Sequence, residues 1–162
     1  GLEKYLPATL DSVLAQDDPD LECVVVDDAS PDRCGEIADE YAARDQRVRV
    51  IHHETNRYLS AARNTAIAAS RGRYVIPLDA DDLLTPSAVG VLARALDADR
   101  HTGVAYGNVF FVDPDGKPKD YGGPPGRSWW PIPYDHAVQM RARGQLPPVS
   151  SMFRLLLFRA GV

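Results

Sequence analysis

The segment GRYVIPLDADD, residues 72–82, places a short apolar run directly before a group of carboxylates. The apolar part, Tyr74–Leu78, contains β-branched and aromatic residues and is typical of a buried strand. Pro77 has no backbone N–H, so we expect it at the end of the strand or on an unpaired side. The strand would therefore deliver Asp79 and Asp81 to one end of a sheet.

A second apolar run, Leu21–Val26, also ends in carboxylates, those of Asp27 and Asp28. Parallel sheets bind ligands beyond the carboxyl ends of their strands, so we expect both acidic groups at one ligand-binding edge. Carboxylates brought together raise one another's pKa unless a cation or hydrogen-bond donors offset their charge. Mg²⁺ or Mn²⁺ suits such oxygen ligands together with the phosphates of a substrate. One acidic pair taken alone is weaker evidence, because acidic residues at strand ends are often solvated or cap a helix.

Helix and strand patterns alternate along the chain as far as Val112. Ser30 and Ser60 are predicted N-caps, and Gly72 follows the third helix, where a left-handed C-terminal cap is common. This alternation predicts an α/β domain with a mainly parallel sheet and helices on both faces. The other predicted elements are helices around Leu6–Leu14, from Pro31 to Tyr41, at Ala61–Ser70 and from Pro86 to Leu96, and strands at Val48–His52 and Val104–Val112.

The composition excludes several classes of protein. The chain has 162 residues, of which 44% are hydrophobic and 25% charged, as in an ordinary water-soluble domain. Its net charge of -5 is spread without a basic run, so we expect no nucleic-acid partner. The longest apolar stretches fall far short of the roughly 20 residues that span a bilayer. Two cysteines make a poor disulfide framework and favour a reducing, cytoplasmic location.

The order and spacing of four segments resemble those of the family 2 glycosyltransferases, which are nucleotide-sugar-dependent enzymes. The resemblance implies a GT-A (Rossmann-like) fold, incomplete here. Residues 1–162 would form a single catalytic-domain fragment, with the nucleotide-sugar-binding part at 1–112 and the start of the acceptor-side part at 113–162. The four segments are Leu6–Gln16, Glu22–Ser30, Asn56–Asn64 and Gly72–Asp82.

The resemblance also implies roles for the acidic residues. Asp28, with Asp27 beside it, is expected to bind the base by accepting a hydrogen bond from a ring N–H of a UDP-linked sugar. For Asp27, a turn-forming or helix-capping carboxylate is an equally good interpretation. Asp81 matches the metal ligand of the family's DXD motif, and Asp79 would face the ribose or the water shell of the metal. Asp82 is interpreted as structural.

Four further residues are candidates for the site. Arg63 in the third helix is expected to bind the nucleotide or the pyrophosphate, because a guanidinium recognises phosphate through two hydrogen bonds. Asn64 could donate to the nucleotide or satisfy a buried loop carbonyl. Trp129 and Trp130 lie where the family builds the acceptor side, and an indole can stack on a sugar ring; anchoring of the loop on the core is an equally good interpretation.

The chain departs from the family at both ends. The apolar strand with which family members begin is absent, so we expect an uncovered strand edge and self-association. The general base of an inverting transfer is expected beyond Val162, so this chain alone should be inactive. The acceptor is not identified and could be a glycan, a lipid or another molecule, and a longer parent could lie peripherally at a membrane.

Two other functions fit parts of the sequence. Tyr74–Asp81 also resembles the first motif of haloacid-dehalogenase-type phosphatases, although Leu83 and the position of the strand in the chain are against it. The second alternative is a non-catalytic module that binds a nucleotide sugar.

Overall fold

The computed structural model describes residues 1–107, Asp113 and the backbone of a last strand. Strands and helices alternate in the order expected from the sequence. The helices are α1 (Leu6–Leu14), α2 (Cys34–Arg44), α3 (Tyr58–Ala69) and α4 (Ala88–Ala98), and the strands are β1 (Cys23–Asp27), β2 (Val48–His52), β3 (Tyr74–Val75), β4 (Val104–Ala105) and β5 (Met152–Arg154).

The strands form two sheets in the described part of the chain. β1 and β2 are parallel, in a register that runs from Cys23 opposite Val48 to Asp27 opposite His52. β5 lies between β3 and β4 and is antiparallel to both, so β3 and β4 point the same way. The predicted α/β class is confirmed. β3 is shorter than the predicted strand and ends before Pro77, whose missing N–H limits pairing.

The core of the second sheet forms on the apolar face of α4. Leu92 and Leu96 are buried there together with Ala105 of β4. The helix presents these two leucines at a spacing of four residues, which places them on one face. Tyr74 and Ile76 pack against the same cluster. The predicted stripe of α4 is therefore the contact that fixes the strand leading to Asp79.

A cleft of about 1210 Å³ is lined by both sheets. Val24–Val26 line it from β1 and Val75–Leu78 from β3 and the residues after it. Within the described residues β1 pairs only with β2, and its residues are half-buried rather than buried on both faces as predicted. The apolar face of α1, with Leu6 and Leu10, borders this cleft, and α1 contacts α2. The predicted packing of α1 directly on a sheet is thus replaced by packing along the cleft.

Four predicted helix ends were wrong: two helices begin later than predicted, one begins earlier, and one lacks the predicted left-handed cap. Ser30 lies in a turn, and α2 begins at Cys34, whose N–H is accepted by Asp32 Oδ1. Ser60 lies inside α3, which begins at Tyr58. Gly72 does not have a positive φ, and α3 ends instead at Ser70 in extended conformation. α4 likewise begins after the predicted start at Pro86.

Some predictions lie outside the described residues. They include the roles of Trp129 and Trp130 and most of the predicted strand Val104–Val112. Among the residues that are described, no helix is long and apolar enough to cross a membrane.

Candidate functional site

Asp27 is the last residue of β1, and its carboxylate is held from two sides. Oδ1 accepts the Ser30 backbone N–H at 3.1 Å, and Oδ2 lies 3.1 Å from His52 Nδ1. Burial raises the pKa of Asp27, but the hydrogen bonds from Ser30 and His52 outweigh it and lower the pKa below its ordinary 3.8. The other ring nitrogen of His52 lies 3.1 Å from Asp39 on α2. Asp27 therefore has the turn-forming role that was one of its two interpretations.

Asp28 follows β1 and is bound more completely. Both of its carboxylate oxygens accept the Arg57 backbone N–H, at 2.9 and 3.0 Å, and Oδ1 also lies 2.6 Å from His53 Nδ1. The hydrogen bond from His53 and the backbone N–H of Arg57 lower the pKa of Asp28, so the group is an ionised acceptor at neutral pH. Its side chain is 18% exposed. The carboxylate is fixed by the protein and still accessible from the cleft.

The backbone on both sides of this carboxylate is strained. Ala29 and Tyr58 have φ values of 56° and 68°, a conformation that costs an L-residue about 1 kcal/mol. The Tyr58 N–H is accepted by Asn56 Oδ1 at 3.0 Å, which holds the turn that presents the Arg57 N–H. Strain of this kind persists only where the surroundings fix it, and it is concentrated at functional sites.

The carboxylates after β3 contact α3. Arg63 donates from its guanidinium to Asp79 Oδ1 at 2.7 Å, and both side chains are about one-third exposed. Asp81 lines the same cleft and has no hydrogen bond or salt bridge to any described residue. Partial desolvation and the charges of Asp79 and Asp81 raise the pKa of Asp82, although its side chain contacts solvent. This acidic group is therefore only partly neutralised by the protein.

Two polar side chains of α1, and that of Gln16 just beyond its end, hold the backbone of the segment that carries these carboxylates. Thr9 Oγ1 donates to Ala80 O at 2.9 Å, Ser12 Oγ accepts the Leu84 N–H at 3.1 Å, Gln16 Nε2 donates to Thr85 O at 2.8 Å, and Gln16 Oε1 accepts the Val89 N–H at 3.0 Å. Their spacing places the three on one side of α1, next to its apolar face. We call them the polar ridge of α1.

The structure brings most of the predicted residues to one cleft. Asp27, Asp28, Arg63, Asp79 and Asp81 all line it. We call the four carboxylates of this set the acidic edge. Their convergence agrees with the expectation that both acidic groups lie at one ligand-binding edge.

Asn64 is exposed on α3 and does not line the cleft, so its role remains a prediction. The residues that sequence reasoning missed are His52, His53 and the polar ridge of α1. The two histidines could have been found by aligning the ends of β1 and β2, because parallel neighbours bring Asp27 beside His52.

The two cysteines do not add a nucleophile to this site. Burial raises the pKa of Cys23 to about 11 and that of Cys34 to about 12, so both stay protonated thiols at neutral pH. Covalent catalysis by a thiolate is therefore not favoured here.

The profile of the family described as glycosyl transferase family 2 matches residues 2–160. The chain belongs to this family, and its α/β arrangement matches the GT-A fold of the solved structures described next. Membership in this family counts against the alternative of a haloacid-dehalogenase-type phosphatase.

Similar proteins include an uncharacterized glycosyltransferase, EpsJ of Bacillus subtilis, which is 48% identical over 85 residues, 52% of this chain and 24% of EpsJ. TarS 1-349 of S. aureus superimposes with a TM-score of 0.72 and 26% identity over 98% of this chain and 45% of that one. The same protein has been solved in complex with UDP-GlcNAc. The mannosyltransferase PcManGT of Pyrobaculum calidifontis, in complex with GDP-Man and Mn²⁺, has a TM-score of 0.59 and 27% identity over 65% of this chain and 32% of that one. The chain thus spans less than half the length of each.

Proposed function

We propose that this chain is the donor-binding part of an inverting glycosyltransferase that uses a nucleoside-diphosphate sugar, most readily a UDP-linked one, and a divalent cation. The observation that carries the proposal is the acidic edge, which opens on a single cleft together with the cation Arg63. A diphosphate needs positive charge and hydrogen-bond donors, and the acidic edge needs a cation before any anion can approach.

Asp28 is the residue that we assign to the base. An ionised carboxylate is an acceptor only, so its natural partner is a donor such as the ring N–H of uracil. The lowered pKa of Asp28 keeps it ionised, and its partial exposure leaves it accessible to a ligand. The complex of TarS with UDP-GlcNAc supports a uracil nucleotide by analogy. Asp27 lines the same cleft and is assigned a supporting contact with the nucleotide, whereas the role of Asn64, which does not line the cleft, stays a prediction from the family resemblance.

Asp79 and Asp81 are assigned to a Mg²⁺ or Mn²⁺ ion. No group of three or more ligating side chains meets within the described residues, so the fit is not that of a metal cage built by protein alone. It is that of an ion bound by one or two carboxylates and by the phosphates of the substrate. Asp81 has no hydrogen bond or salt bridge to a described residue, and the pKa of Asp82 is raised. Both support this fit, because they indicate negative charge that the described part of the chain does not compensate. When bound, the ion would stabilise the charge of the departing diphosphate.

Arg63 has two tasks in this proposal. Its hydrogen bond of 2.7 Å holds the carboxylate of Asp79 in place. Arg63 lines the cleft and is about one-third exposed, so its guanidinium is accessible to a phosphate oxygen. The paired carboxylate also limits the repulsion that Asp79 would exert on the diphosphate.

We assign the acceptor side to residues 113–162, with Trp129 and Trp130 as stacking residues, and the donor side to residues 1–112. Inversion needs a carboxylate that removes the proton of the acceptor hydroxyl as it attacks the anomeric carbon. No described residue is assigned to this base, whose loss would cost about 10²- to 10⁴-fold in rate. The proposal for residues 1–112 is therefore one of donor binding.

The test is equilibrium dialysis of labelled UDP, GDP and ADP against the chain in the presence of Mn²⁺. We expect UDP to bind best, and Asp28→Asn and Asp79→Asn to weaken it at least tenfold. Glu40→Gln removes the same charge from the exposed face of α2 and is the matched control, which should bind as the wild type does. Absence of binding for all three nucleotides, or equal loss in the control, would overturn the proposal.

A further inference from the structure

His53 is a buried histidine that connects two elements of the site. Its side chain is 5% exposed, and it follows β2 directly. Nδ1 lies 2.6 Å from Asp28 Oδ1, and Nε2 lies 3.0 Å from Thr65 Oγ1 on α3. The ring therefore spans the distance between the end of β1 and the helix that carries Arg63.

The ionised carboxylate of Asp28 fixes the direction of one of the two hydrogen bonds. The ionised carboxylate of Asp28 can only accept, so His53 Nδ1 must carry the proton. In the neutral ring Nε2 is then an acceptor, and the Thr65 hydroxyl donates to it. All polar atoms of the ring are satisfied by protein, so the ring has one favourable orientation.

We propose that His53 is a positioning residue for base recognition, an inference that rests on the proposed function of Asp28. The effect of His53 follows from which lone pairs of the Asp28 carboxylate are already used. Oδ1 of Asp28 is used by His53 and by the shared Arg57 N–H, and Oδ2 receives the other half of that shared bond. The Tyr58 backbone N–H also faces this carboxylate and lowers its pKa. His53 thereby leaves Oδ2 as the acceptor available to a ring N–H in the cleft.

Removal of the imidazole should therefore affect one contact of the ligand rather than all of them. Without the donor at 2.6 Å, Asp28 keeps only the backbone N–H groups of Arg57 and Tyr58 and is less firmly oriented. The ribose and diphosphate contacts come from other residues and should not change. Thr65 acts on Asp28 only through the ring, so its loss should have a smaller effect.

The experiment compares UDP with 3-methyl-UDP, in which the ring N–H is replaced by a methyl group. Both are titrated into the chain with Mn²⁺ present. We expect the wild type to prefer UDP, His53→Phe to weaken UDP roughly tenfold, and 3-methyl-UDP to bind the two proteins alike. His53→Asn places an amide N–H near the position of Nδ1 and should recover most of the affinity. His101→Phe, at an exposed histidine outside the cleft, is the matched control.

A second pair of measurements covers the case in which His53→Phe does not fold. Thr65→Val should weaken UDP about two- to fivefold and leave 3-methyl-UDP unchanged. Nitrogen chemical shifts of His53 in the wild-type chain without ligand should show the Nδ1–H tautomer. The Nε2–H tautomer would overturn the proposal without any ligand present.

The remaining outcomes separate this inference from the proposed function. Equal weakening of UDP and 3-methyl-UDP in His53→Phe would mean a general structural role and overturn the inference alone. Equal binding of the two nucleotides by the wild type would overturn both the base contact of Asp28 and the inference. No binding of either nucleotide would overturn the proposed function, and the inference with it.

Discussion

Gln16 ties α1 to α4 and to the segment before it, and its replacement by leucine tests the role of the polar ridge of α1. Its side chain is 7% exposed and makes three hydrogen bonds. The Val89 N–H that it accepts belongs to the first turn of α4, where no intrahelical partner exists. Ser87 at the N-cap makes no side-chain hydrogen bond, so Gln16 caps α4 from a distant part of the sequence.

The expected cost follows from the two hydrogen bonds that cross to this segment. A helix cap contributes about 1 kcal/mol, and a half-buried carbonyl that loses its donor, here that of Thr85, costs about 1 to 3 kcal/mol. Leucine keeps the volume of glutamine and recovers part of this by apolar burial. Gln16→Leu should therefore lower the free energy of unfolding by about 2 kcal/mol. For a chain of this size that corresponds to a fall in Tm of about 4 to 8 °C.

The assay is thermal and urea unfolding followed by circular dichroism. Gln46→Leu makes the same replacement at an exposed turn and serves as the control, with an expected change within about 0.5 kcal/mol. Because the ridge also holds Ala80, Gln16→Leu should weaken UDP binding with Mn²⁺ in the surviving folded protein. A Tm equal to that of Gln46→Leu would show that Gln16 does not stabilise α4 as a cap.

Three further predictions concern strain, pH and the open edge of β1. Ala29→Gly should raise the free energy of unfolding by about 0.5 to 1 kcal/mol, because the native φ is positive, whereas Ala43→Gly inside α2 should lower it by a similar amount; urea unfolding of both variants checks the sign. Hydrogen bonds to Asp27 and Asp39 raise the pKa of His52 above 6.5. The contribution of His52 to stability is therefore complete below pH 6.5 and is lost as the pH rises through the raised pKa. His52→Gln should abolish this part of the pH dependence of the free energy of unfolding, and an unchanged pH dependence would contradict it. Within the described residues β1 pairs only with β2, and its other edge should promote self-association. Light scattering across a concentration series will detect this as a mass that grows with concentration, and a constant monomer mass would contradict it.

The ends of β1 and β2 were predictable because their pattern is local, whereas β3 ends earlier than predicted. A β-branched run followed directly by Asp27 and Asp28 gave the correct end of β1, and Val48–His52 was predicted with its observed bounds. The stripe of α4 was predicted for the same reason, since its apolar residues recur at helical spacing and Leu96 is fully buried.

The helix starts were not predictable from single residues. Ser30 has the residue type of an N-cap, but its backbone N–H is taken by Asp27 Oδ1 in a turn, and the helix starts later. The cap of α4 is a glutamine far away in sequence, which no local pattern indicates. The same reason applies to His53, whose two partners lie on β1 and α3 and meet only when the sheet forms.

The proposed function requires that the acidic edge bind a nucleoside diphosphate through a cation. Isothermal titration calorimetry of UDP, with and without MnCl₂, measures this directly in the wild type and in Asp81→Ala, with Glu36→Ala on the exposed face of α2 as the control. We expect UDP to bind to the wild type and the control only when Mn²⁺ is present, and to bind at least tenfold more weakly to Asp81→Ala. Equal binding without the metal, or equal binding by Asp81→Ala, would contradict it.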